Sequence, residues 1–182
     1  DGDRLITIKY NSILDLSYPT KKGCNFIGWY SGELKIDSGE KWKIDSDEVI
    51  LLTAMWESEC LNYLKYTITN NQITINGFKD DYYGQTLVIP SKINGLIVSE
   101  ILPNSFLNAK DITYAEIPAT IASIGVGAFS GMDKVEKIVL PFVGTGKYYS
   151  YSSREKLLGA IFGKKEYDED VEINPNTKQC YY

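Results

Sequence analysis

Two segments of this chain carry the same pattern of apolar residues 23 positions apart: residues 101–118, ILPNSFLNAKDITYAEIP, and residues 124–141, IGVGAFSGMDKVEKIVLP. The first segment contributes Ile101, Phe106, Ile112 and Pro118, and the second repeats them as Ile124, Phe129, Val135 and Pro141. A period of about 20–50 residues is typical of proteins built from stacked copies, each of which buries its apolar edge against the next. The sequence therefore predicts a short repeat solenoid, an architecture that mainly presents binding surfaces.

Each copy predicts one short strand that a proline closes, and a similar strand over residues 86–90 precedes them. Because side chains alternate across a strand, every second residue would point away from the core and form the concave face of the stack. That candidate binding surface consists of Thr86, Val88, Tyr114, Glu116, Lys137 and Val139. A mixture of aromatic, charged and aliphatic groups suits recognition of another protein. An ordinary exposed sheet without a ligand fits the same residues equally well.

The stretch at residues 121–132, IASIGVGAFSGM, resembles the BspA-type, or Treponema-type, leucine-rich repeats. The similarity covers residues 63–143, although Met132 replaces a common cysteine and Leu102-Pro103 replaces Ile-Gly in the earlier copy. The resemblance implies a secreted or cell-surface bacterial protein. We expect the chain's second part, 61–182, to consist of a hairpin cap at 63–77, repeats at 86–141 and a C-terminal cap or insertion at 142–182. Asn70 and Asn71 predict the turn of the hairpin, since asparagine tolerates the positive φ angles of such a turn.

The first part of the chain, residues 1–57, resembles the internalin B-repeat, also called the Listeria–Bacteroides repeat. The matching residues are Pro19, Thr20, Gly23, Phe26, Gly28, Trp29, Tyr30, Ala54 and Trp56. Partial alternation at 5–10 and the apolar runs at 24–30 and 49–56 predict strands. The resemblance implies a small β-grasp-like module, and we expect Trp29 and Trp56 in its core. The family's usual first strand is missing, so we expect a partial module cut from a longer surface protein.

Taken together, the strands and short connectors predict a mainly β chain with short helical segments, in the α+β class. The 182 residues are 43% hydrophobic and 24% charged, an ordinary globular balance, with a formal net charge of -5. An acidic chain argues against nucleic-acid binding, since phosphates require a basic face. No apolar run approaches the roughly 18 residues of a membrane span, so we expect no membrane insertion in this segment.

Candidate catalytic chemistry is sparse. The chain has no histidine, which removes the commonest general base and the commonest metal ligand. Gly144 and Gly146 precede Lys147, but their spacing does not fit a phosphate-binding loop. We therefore expect no enzymatic activity, no cofactor and no metal site.

Two groups of residues leave alternatives open. Cys24, Cys60 and Cys180 form neither a disulfide framework nor a zinc pattern, and a Cys60–Cys180 bridge depends on geometry. The cluster Tyr148, Tyr149 and Tyr151 could form an aromatic platform for a glycan or protein, or could pack the end of the stack.

The function that fits these patterns is non-enzymatic adhesion. We expect an extracellular, monomeric protein that binds a macromolecule of a host or neighbouring cell, a protein rather than a glycan. One alternative is a passive spacer or scaffold module of a larger surface protein. The other is a carbohydrate-binding module that uses the tyrosine-rich C-terminal segment.

Overall fold

The computed structural model describes residues 6–44, 49–80, 82–107, 109–146 and 158–163, and the chain divides into two compact units, Asp1–Glu57 and Ser58–Tyr182. The described residues are mostly in strands, with a single-turn helix α1 (Leu158–Ile161) and a 3₁₀ turn at Leu61–Tyr63. The prediction of a mainly β chain with short helical segments is confirmed for these residues. None of their helices is long and apolar enough to cross a membrane.

The unit Asp1–Glu57 is built on a three-stranded sheet with the order β2-β1-β3. Its strands are β1 (Cys24–Ser31), β2 (Leu34–Ile36) and β3 (Thr53–Ser58). β1 and β2 pair antiparallel, with Trp29 opposite Ile36. Trp29 packs against a small core formed by Leu14, Leu16 and Trp42, as the sequence predicted for this tryptophan. That this unit is a β-grasp-like module stays a prediction.

One strand predicted in this unit is wrong, and another begins later than predicted. Residues 6–10 form no strand, and no described strand pairs with them. The strand predicted at 49–56 begins only at Thr53, and Val49 and Leu51 are exposed at 81% and 72%. Apolar alternation forms a strand only where a neighbour pairs with its backbone, and this short module supplies few such neighbours.

The unit Ser58–Tyr182 opens with a hairpin of β4 (Leu64–Thr69) and β5 (Gln72–Phe78). Asn70 and Asn71 connect the strands with φ angles of 51° and 60°, which suit a two-residue hairpin turn. The structure therefore contains the hairpin predicted from the paired asparagines. β4 forms one edge of its sheet, and its buried Leu64 belongs to the core.

Two sheets run through the rest of this unit. The remaining strands are β6 (Thr86–Val88), β7 (Lys92–Ile93), β8 (Leu96–Ile101), β9 (Tyr114–Glu116), β10 (Ser123–Ile124) and β11 (Lys137–Val139). The hairpin sheet has the order β10-β8-β5-β4, with β7 antiparallel to β8, and its strands β5, β8 and β10 are parallel. The repeat sheet has the order β11-β9-β6 and is entirely parallel.

Each copy of the repeat runs from a strand of the hairpin sheet, through a phenylalanine, to a strand of the repeat sheet. The phenylalanines stack into a column, with ring centroids 5.0 Å apart for Phe78 and Phe106 and 6.0 Å apart for Phe106 and Phe129. Ile101 and Leu87, from the two sheets, are fully buried with them. The 23-residue period therefore places equivalent apolar side chains in register on successive copies.

The stack continues beyond the two copies that the period reveals. The amide of Phe129 donates to the carbonyl of Ile161 at 2.8 Å, just as the amide of Phe106 donates to Ala128 at 2.8 Å. The Phe162 ring lies 5.9 Å from that of Phe129 and extends the column. Residues 158–163 thus occupy the place of the phenylalanine-bearing turn of a further copy.

Gly125 allows two successive copies to approach each other closely. A Cβ at this position would lie 2.1 Å from the backbone nitrogen of Pro103, in the preceding copy. Contacts this short do not occur between real atoms, so only glycine fits here. This close backbone contact explains why the residue that follows Ile124 is a glycine.

Candidate functional site

The repeat sheet brings together all six residues predicted for the binding surface. In register, Tyr114 lies between Thr86 and Lys137, and Glu116 lies between Val88 and Val139. The residues between them alternate to the other side, where Leu87 and Ala115 are fully buried and Ile138 packs against the core. We call the six residues the outward face. Whether this face binds a ligand stays a prediction.

The outward face is accessible only in part. Lys137 and Val139 are exposed and Thr86 and Glu116 are half-buried, but Val88 and Tyr114 have only 5% and 8% of their surface accessible. Val88 and Tyr114 therefore offer little surface to a ligand, although both alternate away from the residues beneath the sheet.

Specific contacts accompany this burial. The Ser58 hydroxyl donates to the Val88 carbonyl at 2.6 Å, which places the start of the unit along the edge of β6. The Tyr114 hydroxyl donates to the Glu116 carboxylate at 2.8 Å, so its ring follows its own strand instead of projecting outward. The accessible part of the face therefore lies towards β11.

Side chains cover the free edge of β6, the edge that pairs with no described strand. Tyr82 donates its hydroxyl to the Thr86 carbonyl, and the Cys60 thiol lies 3.5 Å from the Val88 carbonyl that Ser58 also contacts. Burial raises the pKa of the Cys60 thiol above its ordinary value of 9.0, against the lowering effect of the Ser58 hydroxyl. Burial likewise raises the pKa of the Tyr82 phenol above 10.0. An edge closed in this way is protected from pairing with a foreign strand.

A cleft of about 630 Å³ lies beside this edge. Six side chains line it: Glu59, Tyr63, Tyr82, Tyr83, Gln85 and Thr86. Sequence reasoning missed this site, because Glu59 and Thr86 are 27 residues apart and meet only in the fold. The sequence feature that could have indicated this cleft is the pair Tyr82 and Tyr83, which lies in a polar loop between two strands.

The tyrosine cluster of Tyr148, Tyr149 and Tyr151 lies outside the described residues, as does Cys180. In the part of the chain that the structure does describe, no group of three or more histidine, cysteine or acidic residues could hold a metal ion. Among the described residues, we consider the accessible outward face and the cleft as candidate binding surfaces.

No protein-family model matches the chain, and no curated protein matches it. Its similarities are to solved structures of leucine-rich repeat proteins. A T. pallidum leucine-rich repeat protein has 29% sequence identity and a TM-score of 0.41, over 44% of this chain and 38% of that protein.

Two Bacteroides proteins show comparable similarity. One, from B. capillosus, has 20% identity and a TM-score of 0.40, over 44% of this chain and 62% of that protein. Another, from B. ovatus, has 22% identity and a TM-score of 0.39, over 53% of this chain and 24% of that protein. The chain thus matches less than two thirds of each of these leucine-rich repeat proteins.

Proposed function

We propose that this chain is a non-enzymatic module of a secreted or cell-surface bacterial protein, which binds another macromolecule through the outward face of its repeat sheet. The ligand class that fits best is a protein of a host or neighbouring cell, and the module acts as a monomer. The observation that carries the proposal is the in-register alignment of outward residues on stacked, rigidly packed copies.

Rigidity supports this proposal. Directly beneath the outward face, Leu87 and Ala115 are fully buried, and the phenylalanine column fixes the spacing between copies. A surface held in one arrangement loses little conformational entropy when a partner binds. The stack therefore provides the preorganisation that recognition of a macromolecule requires.

The chemistry of the accessible residues also supports a protein ligand. Lys137 and Glu116 present opposite charges on neighbouring strands, and Val139 adds an exposed apolar side chain beside Glu116. Such a mixture offers both an apolar contact and orienting charges. It lacks the dense positive charge that a nucleic acid requires, in keeping with the net charge of -5.

The test measures binding of the immobilised chain to a panel of extracellular-matrix and bacterial surface proteins by biolayer interferometry. The double variant Lys137→Glu/Val139→Ser changes the most accessible residues of the face. The matched control, Lys110→Glu/Val126→Ser, makes the same two chemical changes at exposed positions outside the face. Both variants should keep the wild-type circular dichroism spectrum.

We expect the face variant to weaken binding by at least about tenfold, which corresponds to the loss of about 1.4 kcal/mol. The control should bind within about twofold of the wild-type chain. Equal binding by the face variant and the wild-type chain would refute the outward face as the binding surface. A wild-type chain that binds no protein of the panel would instead favour a passive spacer.

A further inference from the structure

The cleft at the free edge of β6 has features that the outward face does not share. It combines three tyrosines with a carboxylate, an amide and a hydroxyl, within about 630 Å³. Clefts of roughly 300–1,000 Å³ with aromatic walls and a few polar groups are the usual form of small-ligand sites. This composition identifies the cleft as a candidate site in its own right.

The aromatic wall of the cleft is held firmly in place. The Tyr82 ring lies with its centroid 4.2 Å from that of Phe78 and 5.2 Å from that of Tyr63. Its hydroxyl is fixed on the Thr86 carbonyl. Gly84 completes the arrangement, because a Cβ there would lie 2.3 Å from the Tyr82 hydroxyl oxygen. Since Phe78 belongs to the phenylalanine column, the wall is anchored to the core of the stack.

Tyr83 differs from its neighbour, because 86% of its surface is exposed. An aromatic ring presents an apolar face and a polar tip to any ligand in the cleft. Tyrosine has only two rotatable side-chain bonds, so ordering it on a ligand costs little entropy. Tyr83 therefore has the properties of an aromatic platform at the rim of the cleft.

The polar groups of the cleft can both donate and accept hydrogen bonds. The Thr86 hydroxyl donates to the Glu59 carboxylate at 3.3 Å, which orients that carboxylate, and the exposed Gln85 amide offers a donor and an acceptor. Among the described residues that line the cleft there is no lysine or arginine, and Glu59 is the one charged side chain. This set suits a ligand with many hydroxyl groups and no negative charge.

We propose that this cleft binds a short segment of a neutral oligosaccharide. One sugar ring stacks its C–H face on Tyr83, and its hydroxyl groups bond with Glu59 and Gln85. The site shares only Thr86 with the outward face, so the same module can engage a glycan and a protein through largely different surfaces.

The test begins with an array of neutral tetrasaccharides of glucose, galactose, mannose and N-acetylglucosamine, with binding to the best probe then measured by calorimetry. Tyr83→Ala removes the platform at an exposed position where the fold should tolerate it. The matched control is Tyr18→Ala, which removes another largely exposed tyrosine, 78% accessible, from the other unit. Gln85→Ala provides a second variant at an exposed position of the cleft.

We expect Tyr83→Ala to weaken binding of the best probe by at least about tenfold, and Gln85→Ala to weaken it by about threefold or more. Tyr18→Ala and the face variant Lys137→Glu/Val139→Ser should leave glycan binding unchanged. The proposal is overturned if no neutral glycan binds, or if both cleft variants bind as well as the wild-type chain.

A variant of the carboxylate separates a sugar from a cationic ligand. Glu59→Gln keeps the size of the side chain and one acceptor oxygen, but it removes the charge and replaces the other oxygen with an amide donor. Neutral-glycan binding should persist in this variant, within about fivefold of wild type. Positively charged glucosamine tetrasaccharides, measured beside the neutral probes, provide the comparison. If only these cationic probes bind, and Glu59→Gln abolishes their binding, the cleft is a cation site and the neutral-glycan proposal is wrong.

Discussion

The two units of this chain differ most in how completely they bury apolar side chains. Among the described residues, the core of Ser58–Tyr182 contains nineteen buried hydrophobic residues, none more than 5% exposed. The core of Asp1–Glu57 contains three, Leu14, Leu16 and Trp42, and two of these are 9% exposed. The comparison teaches that repetition itself provides burial, because each copy covers the apolar edge of the one before it. The first unit has no repeated copy to supply this cover.

The largest expected effect comes from removing a ring from the middle of the column. Phe129 is fully buried between Phe106 and Phe162, so Phe129→Ala should lower the free energy of unfolding by about 3–5 kcal/mol. Urea denaturation followed by circular dichroism measures this loss. The volume-conserving control Phe129→Met should cost less than about 1.5 kcal/mol. A loss below about 1 kcal/mol for the alanine variant would show that the column is not continuously packed.

A second prediction compares one glycine from each unit. Gly125→Ala places a Cβ against the Pro103 backbone, which cannot rotate away, and should cost about 3 kcal/mol. Gly39→Ala meets no atom within 4 Å but adopts a φ of +85°, and its conformational strain should cost about 1 kcal/mol. The same denaturation experiment measures both variants. Equal losses would mean that the copies are not held in close backbone contact.

A third prediction concerns alkaline pH. Burial keeps the Cys60 thiol neutral in the folded chain, whereas in the unfolded chain it ionises near 9.0. Below about pH 9 the thiol is protonated in both states, and it does not lower the free energy of unfolding. Above pH 9 the unfolded chain ionises first, so the free energy of unfolding falls as the pH rises towards the higher folded-state pKa, by at most about 1.4 kcal/mol per pH unit.

The measurement compares the free energy of unfolding at pH 8 and pH 10.5 for the wild-type chain and for Cys60→Ala. The wild-type chain should lose more stability than the variant over this interval, because only the wild-type chain has this buried thiol. Identical losses would show that Cys60 ionises as readily in the folded chain as in the unfolded one.

The smallest expected effect is that of the ion pairs. Lys134 and Asp111 lie 23 positions apart in successive copies and approach to 2.6 Å, while Lys35 and Asp37 in the first unit are 4.0 Å apart. All four side chains are largely exposed, so Asp111→Asn should cost no more than about 1 kcal/mol and Asp37→Asn close to nothing. High salt should reduce the effect of Asp111→Asn, and a salt-independent loss would contradict this explanation.

The sequence predicted the short strands β9 and β11 of the two copies, because the 23-residue period is a regular constraint. The sequence did not predict the further copy. Phe162 follows Phe129 by 33 residues, so a comparison of positions 23 residues apart does not detect it. The strand predicted at 5–10 and the strand start predicted at Val49 were wrong for a different reason. They rested on local alternation and on a motif, and neither shows whether a partner strand is present.

For the candidate sites too, the sequence predicted what depends on local strand geometry and missed what depends on contacts between distant residues. Alternation predicted which residues share the outward face, because that depends only on strand geometry. The burial of Val88 and Tyr114 could not be predicted. The contact with Ser58 spans 30 residues, and the hydroxyl of Tyr114 selects a carboxylate two positions along its strand. The cleft depends on Glu59 in the same way, because only the folded chain brings it to Thr86.

The most direct test of the central claim, that stacked copies form a rigid frame which the first unit lacks, is native-state hydrogen–deuterium exchange across the whole chain. Amides of β8 and of Phe129, whose acceptor is the carbonyl of Ile161, should exchange at least about 100-fold more slowly than those of β1. Protection at Phe129 equal to that at Phe106 would also place residues 158–163 in the stack. Equal exchange rates in β1 and β8, or an unprotected Phe129 amide, would contradict the account.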